Sequence, residues 1–308
     1  MDKLFSGLTQ KVRLSFTSSN SSFTECARQH FLSLTFNFQS CTTSPYTNCK
    51  FTQTEHPTIS SLATLTSCLF TSLSSTGNGG AILFTLTGTL TISYSLFERC
   101  SVNVSSVKPN GGGAVCVESG YLVASSNSFL RCSSSYYAGG LIADKQCTSS
   151  TVSSCTFYEC TAFRGAALIT YFHPSSSVVS SRFLCCSVDN VGGGIYHNSD
   201  LQSSSFILSD CLFAFNSADY TTDEYKTRGG GGFEDFKEGE YSSYYSYSFF
   251  HGNVATKEDG HDIAVVYNSL PESNITHCFT TTSIKSFWNI NKHEVRWLPE
   301  AMMNPKVR

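Results

Sequence analysis

Apolar positions in this chain come as two short runs that recur together. One run follows small residues: Gly79-Gly80-Ala81-Ile82, Gly112-Gly113-Ala114-Val115, Gly139-Gly140-Leu141-Ile142, Gly165-Ala166-Ala167-Leu168, Gly193-Gly194-Ile195-Tyr196 and Gly231-Gly232-Phe233-Glu234. The other alternates apolar residues with Ser and Thr, as in Leu90-Thr91-Ile92-Ser93-Tyr94-Ser95-Leu96-Phe97. It ends on a Phe with Cys or Asn three residues later: Phe97/Cys100, Phe129/Cys132, Phe157/Cys160, Phe183/Cys186, Phe213/Asn216 and Phe250/Asn253. Short alternation with hydroxyl residues on the polar phase predicts half-buried strands. No three-turn helical stretch is read between residues 50 and 280.

Phe23, Phe51 and Phe70 extend the Phe series upstream and Phe279 extends it downstream, at intervals of 28, 19, 27, 32, 28, 26, 30, 37 and 29 residues. Constant short motifs at variable spacing mark a repeat whose insertions fall in loops. A coil of about 28 residues with two or three short strands is the size of one rung of a parallel β-helix, whose rungs stack at the strand spacing of about 4.8 Å. The expectation is an all-β fold, a single-stranded right-handed parallel β-helix of 9–10 rungs over 1–285. Clear repeats run over 79–255, with weaker rungs at 16–78 and 256–285, and 286–308 forms a C-terminal tail or cap. Like residues should then stack in columns: Phe on Phe, with Asn or the small apolar Cys closing the corner that follows.

The 14 cysteines fit this phase. Cys100, Cys132, Cys160 and Cys186 share one repeat position, and Cys49, Cys68, Cys155 and Cys211 each fall two residues before a Phe. Residues stacked on in-register parallel strands point the same way, which suits a disulfide badly. Mostly free, buried thiols are expected.

Only 14% of residues are charged and the net charge is −3, which gives no sign of a nucleic-acid partner. No run of 18 apolar residues predicts a transmembrane helix. The segment Met1–Leu8 lacks the apolar core of a signal peptide. The chain is expected to be a piece of a longer protein. Sequons at Asn20, Asn103 and Asn274 are glycosylation sites if the chain is secreted. Between residues 50 and 210 the acids Glu55, Glu98, Glu118, Asp144, Glu159, Asp189, Asp200 and Asp210 stand isolated, and no catalytic residue, metal site or cofactor is expected in the chain. Acids and tyrosines concentrate over 218–262, where the longest Phe interval also lies. Loops on a rigid scaffold carry function, and tyrosine faces stack on sugar rings. Tyr220, Asp223, Glu224, Tyr225, Glu234, Asp235 and Tyr245 are therefore the candidate ligand-binding set.

The tandem Gly-Gly-Ala-Ile and Phe-x-x-Asn motifs resemble those of the chlamydial polymorphic outer-membrane proteins over roughly 50–280, and the pectin-lyase-like β-helix repeats of protist families. Cys takes the Asn place in the four central copies. The resemblance implies a right-handed β-helix that works as a non-enzymatic adhesion or interaction scaffold, displayed at a surface or secreted. Its partners would be host or self surface proteins or glycans. The alternative is a carbohydrate-active β-helix enzyme, a polysaccharide lyase or glycoside hydrolase, or a carbohydrate-binding module, with its site near 218–262. Open solenoid ends are sheet edges, so end-to-end self-association is a further expectation.

Overall fold

A computed structural model describes residues 45–52, 62–103, 111–171, 174–199, 204–219, 232–237, 241–255, 262–267, 273–280, 284–286, 291–293 and 296–297. All of them fall within one compact unit, Phe36–Arg308. The weaker rungs expected between 16 and 44, with Phe23, lie outside the described residues.

The described residues form a parallel β-solenoid with no helix among them. One rung shows the plan. Leu168–Tyr171 and Ser175–Val179 enter a 16-stranded sheet, Arg182–Leu184 a ten-stranded sheet, and Ser187–Val188 a seven-stranded sheet. The chain then climbs to Ile195–Ser199, which pairs in parallel with Leu168–Tyr171. In two rungs the first sheet's pair of strands runs unbroken, as Val115–Ser125 and Leu141–Ser153, and their pairing slips register on both sides of Ser119 and Gly120. The pairing also continues past residue 285. Asn291–His293 adds to the first sheet beside Ser273–Thr276, and Arg296–Trp297 adds to the second beside Phe279–Thr280.

The second sheet carries the Phe column. Phe51, Phe70, Phe97, Phe129, Phe157, Phe183, Phe213 and Phe250 are in register, with ring centroids 4.6 to 5.0 Å apart and planes within 11° of parallel. Isolated aromatic pairs prefer offset or edge-on contact; here the strand spacing dictates face-to-face stacking, and the burial of each ring stabilises it. The column stops one rung earlier than the sequence suggests. Phe250 pairs with Thr280, and Phe279 pairs with the half-buried Phe249. The Thr280 side chain is fully buried, and its hydroxyl has no hydrogen-bond partner among the described residues.

Two further columns flank the rings. Three residues after the Phe, Asn216 Nδ2 donates to Phe183 O at 2.9 Å and Asn253 Nδ2 to Phe213 O at 3.1 Å. Cys100, Cys132 and Cys160 point Sγ at the matching carbonyls of Phe70, Phe97 and Phe129 at 3.5 to 3.7 Å. Cys at this place is therefore a weaker donor to the same acceptor, rather than a residue that needs no partner. Two residues before the Phe, Ser and Asn side chains accept the amide of the previous rung, as Ser95 Oγ does from Cys68 N at 3.0 Å and Asn127 Oδ1 from Ser95 N at 2.9 Å.

Eleven described cysteines are free, and all but the half-buried Cys185 are buried. Cys49 departs from the expectation: it is disulfide-bonded, with a partner outside the described residues.

The corners use left-handed backbone, and glycine takes it in only one of the described rungs, at Gly252 with φ 59°. Ser67, Tyr94, Ser126, Ser154, Ser180, Asp210 and Tyr247 sit at φ 49° to 56° at one corner, and Ser72, Arg99, Arg131, Glu159, Cys185 and Phe215 at 51° to 57° at the next. Such a conformation costs an L-residue roughly 1–2 kcal/mol. Each corner amide instead donates to a carbonyl one rung on, as Ser154 N does to Val179 O at 2.9 Å.

Candidate functional site

Tyr220, Asp223, Glu224 and Tyr225 lie outside the described residues. Glu234 and Asp235 fall in the strand Phe233–Lys237, in register with Tyr196 and His197 respectively. Tyr245 belongs to the interior: it is fully buried, and its hydroxyl donates to Ser243 Oγ at 2.9 Å. It therefore has no ring face to offer a ligand, because alternation along Tyr241–Ser246 turns Tyr244 outward and Tyr245 in. Of the sequons, Asn103 is exposed, Asn274 lies within the strand Ser273–Thr276, and Asn20 is outside the described residues.

The structure builds a different patch, on the flank of the first sheet. The segments that lead from the third sheet back to the first do not stay at the rim. They fold over the outward face of the strands, and a second apolar cluster forms there from Cys116, Ala138, Ile142, Ile169, Tyr171, Val191 and Tyr196, with Tyr137 packed against it. The small-residue motif allows this. Gly165 has φ 57°, and a Cβ there would meet Ile169 Cγ1 at 2.2 Å. The returning segments pair with one another like strands: Gly111 with Tyr137, and Tyr137 with Arg164. Gly165 N then donates to Val191 O at 2.9 Å.

This pairing gathers aromatics from three rungs around one cation. Tyr136 and Phe163 stack at 5.7 Å and 13°, and Tyr136 leans on Tyr137 at 4.2 Å. Tyr137 meets Tyr171 edge-on at 5.6 Å, and Tyr171 meets Tyr196 edge-on at 5.9 Å. The Arg164 guanidinium lies 6.0 Å from the Tyr137 ring centroid and 5.8 Å from that of Phe163, within cation–π range. Tyr136, Tyr137, Phe163 and Arg164 are half-buried, so rings and cation reach solvent; Tyr171 and Tyr196 are buried beneath. Burial works against the Arg164 charge, and Tyr137, Tyr196, Tyr171 and Tyr136, once ionised at high pH, outweigh it, so the guanidinium stands above its ordinary value. Burial pushes the Tyr171 phenol well up, with Tyr196 and Tyr137 adding to the shift. One buried amide borders the patch and another adjoins it in sequence. Asn198 donates from Nδ2 to Tyr196 Oη at 3.3 Å, and Asn190 precedes Val191 of the cluster. Both are buried, and the Oδ1 of each accepts no hydrogen bond from the described residues.

Beside the patch, two acids that the sequence separates come together. Glu118 and Asp144 follow Val117 and Ala143, which are register partners, just before the register slip. Asn78 Nδ2 donates to Glu118 Oε1 at 2.6 Å. Asp144 is buried; burial raises its carboxyl above the usual range, and the charge of Glu118 adds to this. Burial also drives the Cys116 thiol well up, helped by Glu118 and Asp144. Among the described residues no group of three His, Cys, Asp or Glu side chains is placed to hold a metal ion, and no helix is long and apolar enough to cross a membrane.

Compared with known protein families, with curated proteins and with solved structures, the chain matches none.

Proposed function

We propose that this chain is a non-enzymatic interaction scaffold of the adhesion type, at a cell surface or secreted, which holds glycans against the flank of its solenoid. The observation that carries this reading is the patch of Tyr136, Tyr137, Phe163 and Arg164, assembled from successive rungs and open to solvent. Aromatic faces with polar tips are suited to sugar rings, and a solenoid fixes them without an ordering cost at binding. The likeness of the Gly-Gly-Ala-Ile and Phe-x-x-Asn motifs to the chlamydial and pectin-lyase-like repeats supports the same reading. The test is a glycan array probed with the wild-type chain and with Tyr136→Ala/Tyr137→Ala. Binding lost in the double variant upholds the assignment; equal binding by both places the contact elsewhere, and binding to no glycan refutes it.

One observation favours the enzymatic alternative. A carboxyl kept protonated to higher pH beside a second carboxylate is the pairing that glycoside hydrolysis uses, and Asp144 and Glu118 form such a pair. On this reading Asp144 is the acid and Glu118 its partner. Failure to release reducing ends or unsaturated products from a panel of polysaccharides would sink it, as would release unchanged in Asp144→Asn and Glu118→Gln.

A further inference from the structure

We infer that Tyr247, at the corner between the first and second sheets, and Phe215, at the next corner, hold a neutral oligosaccharide laid across the strand Phe249–His251. This surface is separate from the Arg164 patch, which is built on the segments between the third sheet and the first. It is a second contact, and it stands or falls without that patch.

Both aromatics sit where the fold gives them little in return. Tyr247 has φ 49° and Phe215 φ 57°. Left-handed backbone disfavours a bulky L-residue, and four other rungs place Ser67, Ser126, Ser154 and Ser180 at the Tyr247 corner. Burial does not compensate, for Tyr247 is 51% and Phe215 50% exposed. A residue kept in a costly conformation without packing points to a functional constraint. Each ring is nonetheless fixed. His277, from the following rung, stacks on Tyr247 at 4.8 Å and 13°. The Phe215 ring takes the space that a Cβ on Gly252 would fill, 2.9 Å from it, and meets His251 edge-on at 4.9 Å. Glycine stands at this corner in that rung alone, so the backbone makes room for the ring.

The groups around the rings suit a sugar. With His277 on one face, the other face of Tyr247 looks toward the preceding rung, where Asp210 holds the same corner. Asp210 is exposed, and its carboxylate accepts Ser209 Oγ at 2.7 Å, the one hydrogen bond it makes among the described residues. A carboxylate so placed accepts further hydroxyls, while the apolar body of the ring takes the C–H face of a pyranose. Its charge turns anionic sugars away, so the ligand is neutral. Tyr247 and Gly252 are five residues apart, at most about 17 Å of extended chain. One monosaccharide cannot reach from ring to ring across that strand, whereas a short oligosaccharide can.

The experiment is titration calorimetry on the full chain with glucose, cellotetraose, maltotetraose, mannotetraose and tetragalacturonate. The wild-type chain should bind at least one neutral tetrasaccharide more tightly than glucose and than tetragalacturonate. Tyr247→Ser and Phe215→Ser should each weaken that probe roughly threefold to tenfold, the range of one aromatic contact. Their melting temperatures should hold or rise, since serine is what other rungs carry at these corners, as at Ser154 and Ser72. Asp210→Asn should also weaken binding. Tyr94→Ser removes a tyrosine equally exposed at the first of these corners, but in a rung whose next corner is Arg99, and should leave binding unchanged. Unchanged affinity in Tyr247→Ser, Phe215→Ser or Asp210→Asn overturns the inference. So does tetragalacturonate bound as tightly as the neutral probes, or a loss in Tyr94→Ser as large as in Tyr247→Ser. A lower melting temperature with unchanged affinity gives the rings a structural role and overturns it as well. Affinity lost only in Tyr136→Ala/Tyr137→Ala overturns it while the reading above stands. No tetrasaccharide bound by the wild type overturns the inference, and the glycan array then decides the reading above by itself.

Discussion

Asn216 donates from Nδ2 to the carbonyl oxygen of Phe183 at 2.9 Å, and its Oδ1 accepts the amide of Cys186 at 3.0 Å. One side chain thus joins two points of the rung before it. The cysteines of the same column meet the same kinds of partner through sulfur, the carbonyl and the amide of the preceding cysteine, but a thiol is a weak donor and a weak acceptor. The column is a graded series of one contact, strongest where Asn stands.

Asn216→Cys should therefore fold with a loss of about 1 kcal/mol, the net worth of one neutral hydrogen bond. Asn216→Leu should cost about 2–4 kcal/mol, because it leaves the Cys186 amide and the Phe183 carbonyl buried and unpaired. Urea unfolding midpoints separate the two; equal losses would contradict the role given to the amide group.

Phe157 sits in mid-column, 4.6 Å from Phe129 and 5.0 Å from Phe183. Phe157→Ala should cost roughly 3–5 kcal/mol by opening a cavity that its neighbours cannot close. Phe279→Ala, outside the column and half-buried, should cost clearly less. Equilibrium unfolding of both variants is the check.

The corner at Ser154, φ 53°, sets up a third comparison. Ser154→Val should destabilise by more than about 1 kcal/mol, since a β-branched residue is a genuine outlier in this backbone region. Ser154→Gly should be neutral or slightly stabilising, its easy left-handed backbone offset by a freer unfolded chain. Thermal melting would show the order of the two; a valine variant as stable as the glycine variant would remove the corner from the account.

Burial raises the thiol of Cys155 to about 11 and that of Cys211 to about 12, from 9.0. The folded chain holds these protons where the unfolded chain releases them. The stability they contribute is complete below pH 9 and is lost as pH rises toward 11 and 12. Each thiol should steepen the alkaline fall by roughly 1.4 kcal/mol per pH unit in that window. Denaturant midpoints measured from pH 8 to 11 should fall, and less steeply in Cys155→Ala. At pH 8 the half-buried Cys185 should react with a thiol reagent first; early labelling of Cys132 or Cys160 would contradict the burial of that column.

The Phe ladder was legible because its period outlasts every insertion, and the free cysteine columns follow from it. Its end was not: Phe279 continues the spacing, but Cys278-Phe279-Thr280 is shifted by one, and Thr280 takes the ring's place. Cys278, two residues before the column position, was the available signal, since it repeats Cys211 and Cys155. The ligand set of 218–262 was read from composition. Parity along Tyr241–Ser246 would have turned Tyr245 inward. The Arg164 patch was hidden because Tyr136, Phe163 and Tyr196 belong to different repeats, and only the climb from the third sheet to the first lays them side by side. The pairing of Glu118 with Asp144 needed the register of Val115–Ser125 on Leu141–Ser153, which the intervening loops conceal.

Because every column is read one rung at a time, the natural unit of change in this molecule is the whole rung. Removing residues 130–157 would place Phe183 on Phe129, with the ring stack, the Cys column and the corner amides still meeting like partners, although the Arg164 patch would lose Tyr136. Removing a single residue inside Thr156–Tyr158 would turn one ring outward and strand its neighbours. A gene built on this plan can lengthen, shorten and recombine by duplication far more freely than it can drift by small deletions, and each exchanged rung carries its own piece of surface with it.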